Sequence, residues 1–65
     1  MIGCLIGEVF ALEAPTVVLN VNGVGYEVDT SLSTFCQLQK GQQVTLWTHL
    51  VVRADAQQLY GFLTQ

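Results

Sequence analysis

Positive charge is the scarcest feature of this 65-residue sequence, which has two strong cations, Lys40 and Arg53, and a net charge of -3. A protein that binds nucleic acid unaided needs several lysines and arginines to displace counterions from the phosphates. The composition therefore argues against DNA binding by this chain alone. Charged residues of both signs make up only 11% of it, which favours self-association or docking through apolar surface.

Histidine and cysteine are also scarce, and their spacing excludes several kinds of site. The single histidine, His49, has no partner at metal-ligand spacing, so we expect a structural strand residue and no metal or other cofactor. Cys4 and Cys36 form neither a CxxC pair nor the dense framework of small secreted domains. We therefore predict free, buried thiols in a reducing cytosol.

Long apolar runs and cationic leaders are missing as well. The start, MIGCLIGEVF, lacks the features of a signal peptide, which predicts a cytoplasmic protein without a membrane contact. Half of the chain is hydrophobic (51%), too much for a disordered segment. We expect one small folded domain over residues 1–65.

The apolar residues that are present alternate with polar ones in short runs separated by turn residues, the pattern of a mostly antiparallel β domain. Glycines at positions 3 and 7 predict that the first strand is long and curved. Apolar residues on both faces of the fourth run predict a central strand. The predicted strands cover residues 2–12, 16–21, 24–28, 43–53 and 58–63.

The second and third strands form the clearest local prediction, because Asn22 and Gly23 between them suit a two-residue hairpin loop. Val24, Tyr26 and Val28 share one face of the third strand. We expect that face to point into the core, with the Tyr26 hydroxyl in water.

Alternation fails from residue 30 to residue 39, where Ser31 or Ser33 is placed to cap a short helical segment that ends before Lys40-Gly41. Five strands with a helix between the third and fourth predict an all-β fold. It is a small five- to six-stranded Greek-key barrel of the OB type, with an SH3-like barrel as the structural alternative.

Catalytic chemistry finds no support in this pattern. The hydroxyls of Ser31, Ser33 and Thr34 have no nearby base or oxyanion motif, so we do not expect an enzyme. The glycines of NGVGY belong to a hairpin rather than a phosphate loop. Aromatic residues without interleaved cations predict core or interface positions rather than base stacking. They are Phe10, Phe35, Trp47 and Phe62.

Asp55 lies in the predicted loop between the last two strands, beside Arg53. Its carboxylate has two interpretations: it stabilises the turn by accepting hydrogen bonds from nearby N–H groups, or it projects as a charged probe. Position alone favours the turn role.

Three segments together resemble the first domain of the RuvA family. They are MIG-x-L-x-G at residues 1–7, NGVGYEV at residues 22–28 and THLVVRADAQQLYGF at residues 48–62. Their order and spacing match nearly the whole chain. The resemblance implies an OB-fold amino-terminal domain, here without the helix-hairpin-helix domain and the RuvB-binding domain that follow it in the family.

The resemblance also implies a function. The full-length protein would be a homotetramer in the bacterial cytoplasm that holds four-way Holliday-junction DNA open. It would recruit the RuvB ATPase, and work with the RuvC resolvase, in branch migration, recombination, DNA repair and the SOS response. The protein itself would be a non-catalytic DNA-binding subunit. A generic OB or SH3-like protein-interaction module is the alternative.

The family places a pair of acids in the loop after HxVVR, at the centre of the junction, where negative charge repels phosphates and helps to separate the strands. Ala54 and Asp55 occupy these positions here. The resemblance therefore gives the acidic-pin role to Asp55, with half the usual charge per subunit because Ala54 replaces the first acid. Cys4 likewise stands where the family usually has arginine.

Overall fold

A computed structural model describes residues 2–63 of the chain, so that Met1 of the first motif and residues 64–65 lie outside the described residues. All five strand predictions are confirmed to within two residues at each end. The strands are β1 (Ile2–Glu13), β2 (Thr16–Val21), β3 (Val24–Thr30), β4 (Gln43–Val52) and β5 (Gln57–Phe62), with helix α1 (Leu32–Phe35) between β3 and β4. They close into a barrel in the order β1-β2-β3-β5-β4, which confirms the five-stranded OB-fold.

Strand β1 closes the barrel because it belongs to two neighbouring ladders. Residues 2–8 pair antiparallel with β4, and residues 8–13 pair antiparallel with β2, with a bulge between Val9 and Ala11. The strand changes partners next to Gly7, where an added Cβ would collide with the main-chain carbonyl of Asn20. The long, curved first strand is therefore confirmed, and glycine is required at its bend.

On the far side of the barrel, β3 and β5 meet in a parallel ladder of only two residue pairs. The carboxylate of Asp29 reinforces this seam: it accepts a hydrogen bond from Thr16 Oγ1 at 2.8 Å and another from Gln58 Nε2. Gly61 allows the close approach, because a Cβ there would lie 2.5 Å from Cγ1 of Val28. Asp29 thus links β2, β3 and β5.

Apolar side chains from β1 to β4 fill the centre of the barrel together with one from the segment after α1, and Leu59 of β5 packs against them. The buried apolar residues are Val9, Val17, Leu19, Val28, Leu38, Val44 and Leu46. Helix α1 begins where predicted, because Ser31 Oγ accepts a hydrogen bond from the N–H of Thr34 at 3.2 Å. It ends at Phe35, well before Lys40, and the following turn places Leu38 in the core.

The predicted core face of β3 is correct only at its end. Val28 is fully buried, whereas Val24 is 54% exposed and Tyr26 is 39% exposed. The β2–β3 hairpin forms as predicted, with positive φ at Asn22 (54°) and Gly23 (92°). The β2–β3 hairpin extends beyond the two-residue ladder between β3 and β5. No described strand therefore covers the inner side of the first residues of β3.

The two cysteines are free, but the prediction that they are buried is wrong. Cys4 neighbours two residues, Gly3 and Leu5, whose side of β1 faces the barrel interior, so its own side chain points outward. Cys36 follows the last residue of α1 at the surface. Both thiols are exposed.

None of the four aromatic residues is fully buried, although Phe35 packs against the core. Phe10 lies at the β1 bulge and is 59% exposed, and Phe62 is 43% exposed. Trp47 and Phe35 are half-buried. Phe62 and Trp47 point outward because their neighbours, Gly61 and Leu46, take the inward positions, so an interface role stays a prediction for these side chains.

The bend of β1 gives a stability prediction. Gly7→Ala should lower the free energy of unfolding by about 1–3 kcal/mol, because the new methyl group displaces the Asn20 backbone. Gly3→Ala is the matched control: its Cβ would meet nothing closer than Thr48 Oγ1 at 3.9 Å, so we expect a change within about 0.5 kcal/mol. Urea denaturation followed by circular dichroism measures both, and equal effects would contradict this account of closure.

Candidate functional site

The loop between β4 and β5 projects from the end of the barrel, as predicted. Val52 and Gln57 form the last pair of the ladder, and the loop is closed by a hydrogen bond from the N–H of Arg53 to the carbonyl of Ala56, 2.7 Å long. All four loop residues, 53–56, are exposed. The loop is therefore a tight, main-chain-closed turn that presents its side chains to solvent.

Asp55 stands in this turn with its carboxylate in solvent. Among residues 2–63 it takes part in none of the side-chain hydrogen bonds, and it makes no ion pair with Arg53. The main chain, not Asp55, closes the loop. The geometry thus favours the projecting charge over the turn-stabilising role, and contact with DNA stays a prediction.

The charge of the loop is small and short-ranged. Ala54 contributes only a methyl group, so Asp55 is the single carboxylate of the loop and Arg53 is the single cation. Salt at 0.1 M screens exposed charges over about 10 Å. The charge of Asp55 therefore reaches only groups that lie within about that distance of the loop.

The outer face of β1, β2 and β3 is acidic. Glu13 and Glu27 line a shallow groove there together with Thr16 and Val18, and the Asp29 carboxylate lies beside Thr16. OB-folds commonly bind oligonucleotides on the face formed by strands 2 and 3. Here that face repels phosphates, which strengthens the inference from composition that the chain does not bind single strands alone.

The single histidine and the hydroxyl residues for which the sequence predicts no metal-binding or catalytic role lie on β4 and at α1. His49 is exposed on β4, and no group of three potential metal ligands occurs within residues 2–63. Ser31 caps α1, Thr34 is buried in it, and Ser33 is exposed. The helix has only four residues, and no helix in the described part of the chain is long enough to cross a membrane.

A cleft of about 700 Å³ between β3 and β5 was not predicted from the sequence. Tyr26, Glu27 and Asp29 line one side, and residues 57–59 line the other. The sequence signal for this cleft was the alternation that predicted an inward-facing Tyr26. An apolar strand face that no other strand covers leaves a cleft of this kind.

Comparison with known proteins shows similarity along nearly the whole chain. A model of the RuvA N-terminal domain matches residues 1–61. The Holliday junction branch migration complex subunit RuvA of Acinetobacter baylyi is 90% identical over 97% of this chain and 31% of its own length. The protein with the same description from Acinetobacter baumannii is 92% identical over 95% of the chain and 31% of its own length. That from Nitrosomonas europaea is 50% identical over 100% of the chain and 34% of its own length. The chain thus spans about a third of the length of these curated relatives.

The two aspartates differ in their contacts, and this difference gives a stability prediction. Asp55→Asn should change the free energy of unfolding by less than about 0.5 kcal/mol, since the carboxylate has no hydrogen-bond partner among residues 2–63. Asp29→Asn should lower it by about 1 kcal/mol, because the amide can accept from only one of the two donors, Thr16 and Gln58. Thermal unfolding measures both; a larger loss for Asp55→Asn would restore the turn-stabilising role.

Proposed function

Since the chain belongs to the RuvA N-terminal domain family, we propose that it is the central scaffold domain of a Holliday-junction-binding subunit. In this proposal the full-length protein holds four-way DNA open for branch migration in recombination, DNA repair and the SOS response, in the bacterial cytoplasm. The observation that carries it is the exposed Asp55 on the main-chain-closed loop after β4. The acid needs no other role in the fold.

Asp55 acts in this proposal as the acidic pin at the junction centre. Two unit charges 4 Å apart interact by about 1 kcal/mol in water, so one carboxylate per subunit gives a modest repulsion of phosphates. Ala54 contributes no charge to the pin. The effect is to disfavour ordinary duplex relative to a junction whose strands separate around the loop.

Affinity for DNA has to come from outside this barrel. The net charge of -3 and the acidic outer face of β1–β3 oppose phosphate binding, and the relatives are about three times as long as the chain. We assign the phosphate contacts to the remainder of the full-length protein, ATP hydrolysis to a RuvB partner and strand cleavage to RuvC. The domain itself is non-catalytic and needs no cofactor.

Subunit contacts in the proposed homotetramer have a candidate surface on the outer side of β1, β4 and β5. Cys4, Trp47 and Phe62 lie side by side across these three strands, because Trp47 pairs with both of the others. Ile6 lies next on the same side of β1 and is 59% exposed. A row of this kind favours association between copies over a generic peptide-binding module.

Solution mass tests the tetramer. Light scattering across a concentration series should give four times the 7.1 kDa chain mass at high concentration. Ile6→Lys should lower the mass at each concentration, because it places a charge in the apolar row. Leu32→Lys is the control, since Leu32 is 71% exposed on α1 rather than on the sheet. A monomer at every concentration would show that the barrel alone does not supply the four-fold contacts.

DNA selectivity tests the pin. In the full-length protein, Asp55→Asn should increase affinity for plain duplex by about two- to fivefold, the range of an exposed charge pair, and change junction affinity less. Ala54→Glu should act in the opposite direction by adding the second acid. Electrophoretic mobility shifts at low and high salt measure both, and the differences should shrink as salt rises.

Glu13→Gln provides the control for selectivity: it removes an exposed carboxylate from the acidic face of the barrel, away from the loop, and should raise affinity for duplex and junction by the same factor. If Asp55→Asn alters junction and duplex binding equally, Asp55 has no pin role.

A further inference from the structure

Two strand edges face each other across the cleft between β3 and β5. The parallel ladder that joins these strands includes only Asp29 and Thr30 of β3. Residues 24–28 pair with β2 on one side and, within the described chain, with no strand on the other. Residues 57–59 of β5 likewise pair only with β4. Edges of this kind offer unpaired N–H and C=O groups to another extended chain.

The floor of the cleft is an uncovered continuation of the apolar core. Leu5, Leu50 and Leu59 line it and are only half-buried, and Tyr26, which also lines the cleft, is 39% exposed. Val52 has the same inward alternation on β4 and is 65% exposed. Apolar side chains that point inward but stay partly accessible to solvent favour an occupant that covers them.

The rim of the cleft carries negative charge. Glu27 and Asp29 line it on the β3 side, and no lysine or arginine is among its lining residues. Asp29 accepts hydrogen bonds only from the neutral donors Thr16 and Gln58. Neither carboxylate has a cationic partner among residues 2–63, which favours a basic ligand and disfavours a nucleic-acid strand.

We propose that this cleft docks an extended peptide segment in which apolar and basic side chains alternate. Alternate side chains of an added strand point to opposite faces of a sheet. The inward set would cover Leu5, Leu50 and Leu59, and the outward set would lie beside Glu27 and Asp29. The loop at residues 53–56 takes no part, so this site is independent of the acidic-pin role.

The probe is the synthetic peptide acetyl-Val-Lys-Val-Lys-Val-amide, titrated into the ¹⁵N-labelled 65-residue chain and followed by NMR. Shifts should concentrate in the amides of residues 24–28 and 57–59, and hydrogen exchange there should slow as the free edges gain partners. The same peptide with glutamate for lysine, and one N-methylated at alternate residues, should each bind at least about tenfold more weakly.

A matched pair of variants tests the charge contribution. Glu27→Gln should weaken the lysine peptide by about two- to fivefold, as expected for one exposed ion pair. Glu13→Gln removes the same charge from a residue that does not line the cleft and should leave binding unchanged. Circular dichroism confirms that each variant is folded.

Several outcomes would overturn the proposal. They are equal weakening by the two variants, undiminished binding of the N-methylated peptide, and shifts confined to other strands. Binding of an oligothymidine at the same amides would instead assign the cleft to nucleic acid. Shifts there that depend on the concentration of the chain alone would assign it to a second copy. Either result excludes a basic peptide as the occupant.

Discussion

The change of partner in β1 at Gly7 is the constraint on which the barrel depends. β1 pairs with β4 along its first half and with β2 along its second half. This pairing requires the Asn20 backbone to lie where a side chain at position 7 would otherwise stand. Once β1 is bent in this way, its inward positions meet those of β2 and β4, and Val9, Leu19 and Leu46 become fully buried. The core of this small domain is therefore a consequence of closure.

Closure is complete on one side of the barrel and partial on the other. A closed barrel removes the unpaired edges that make sheets prone to association. Here β3 and β5 share two residue pairs, stabilised by Asp29, and their first residues separate to form the cleft. The same separation leaves both hairpins projecting beyond the core. The loop with Asp55 and the cleft beside it thus arise from one short seam, although the functions proposed for them differ.

The net negative charge of this domain favours selectivity between forms of DNA over affinity for DNA. With two strong cations against five acids, the chain has little positive charge with which to hold a phosphate backbone by itself. An acid at the tip of a loop acts against any DNA that comes close, and it discriminates only when another surface supplies the attraction. A protein in which one part attracts DNA and another discriminates between DNA forms agrees with a chain that spans about a third of the length of its relatives. Under the proposed pin role, the single charge of the Ala54–Asp55 pair limits the discrimination to about a few-fold.

The sequence alone determined the order of the elements along the chain, the hairpin at Asn22-Gly23 and the position of the β4–β5 loop, and it limited the helix cap to Ser31 or Ser33, because turn chemistry and alternation are local properties. The family, too, was visible in short motifs. Alternation tells which residues share a face, but whether another strand covers that face depends on where distant ladders end. For this reason the exposure of Tyr26, the outward thiol of Cys4 and the bonding of Asp29 to two other strands were decided only by the tertiary structure.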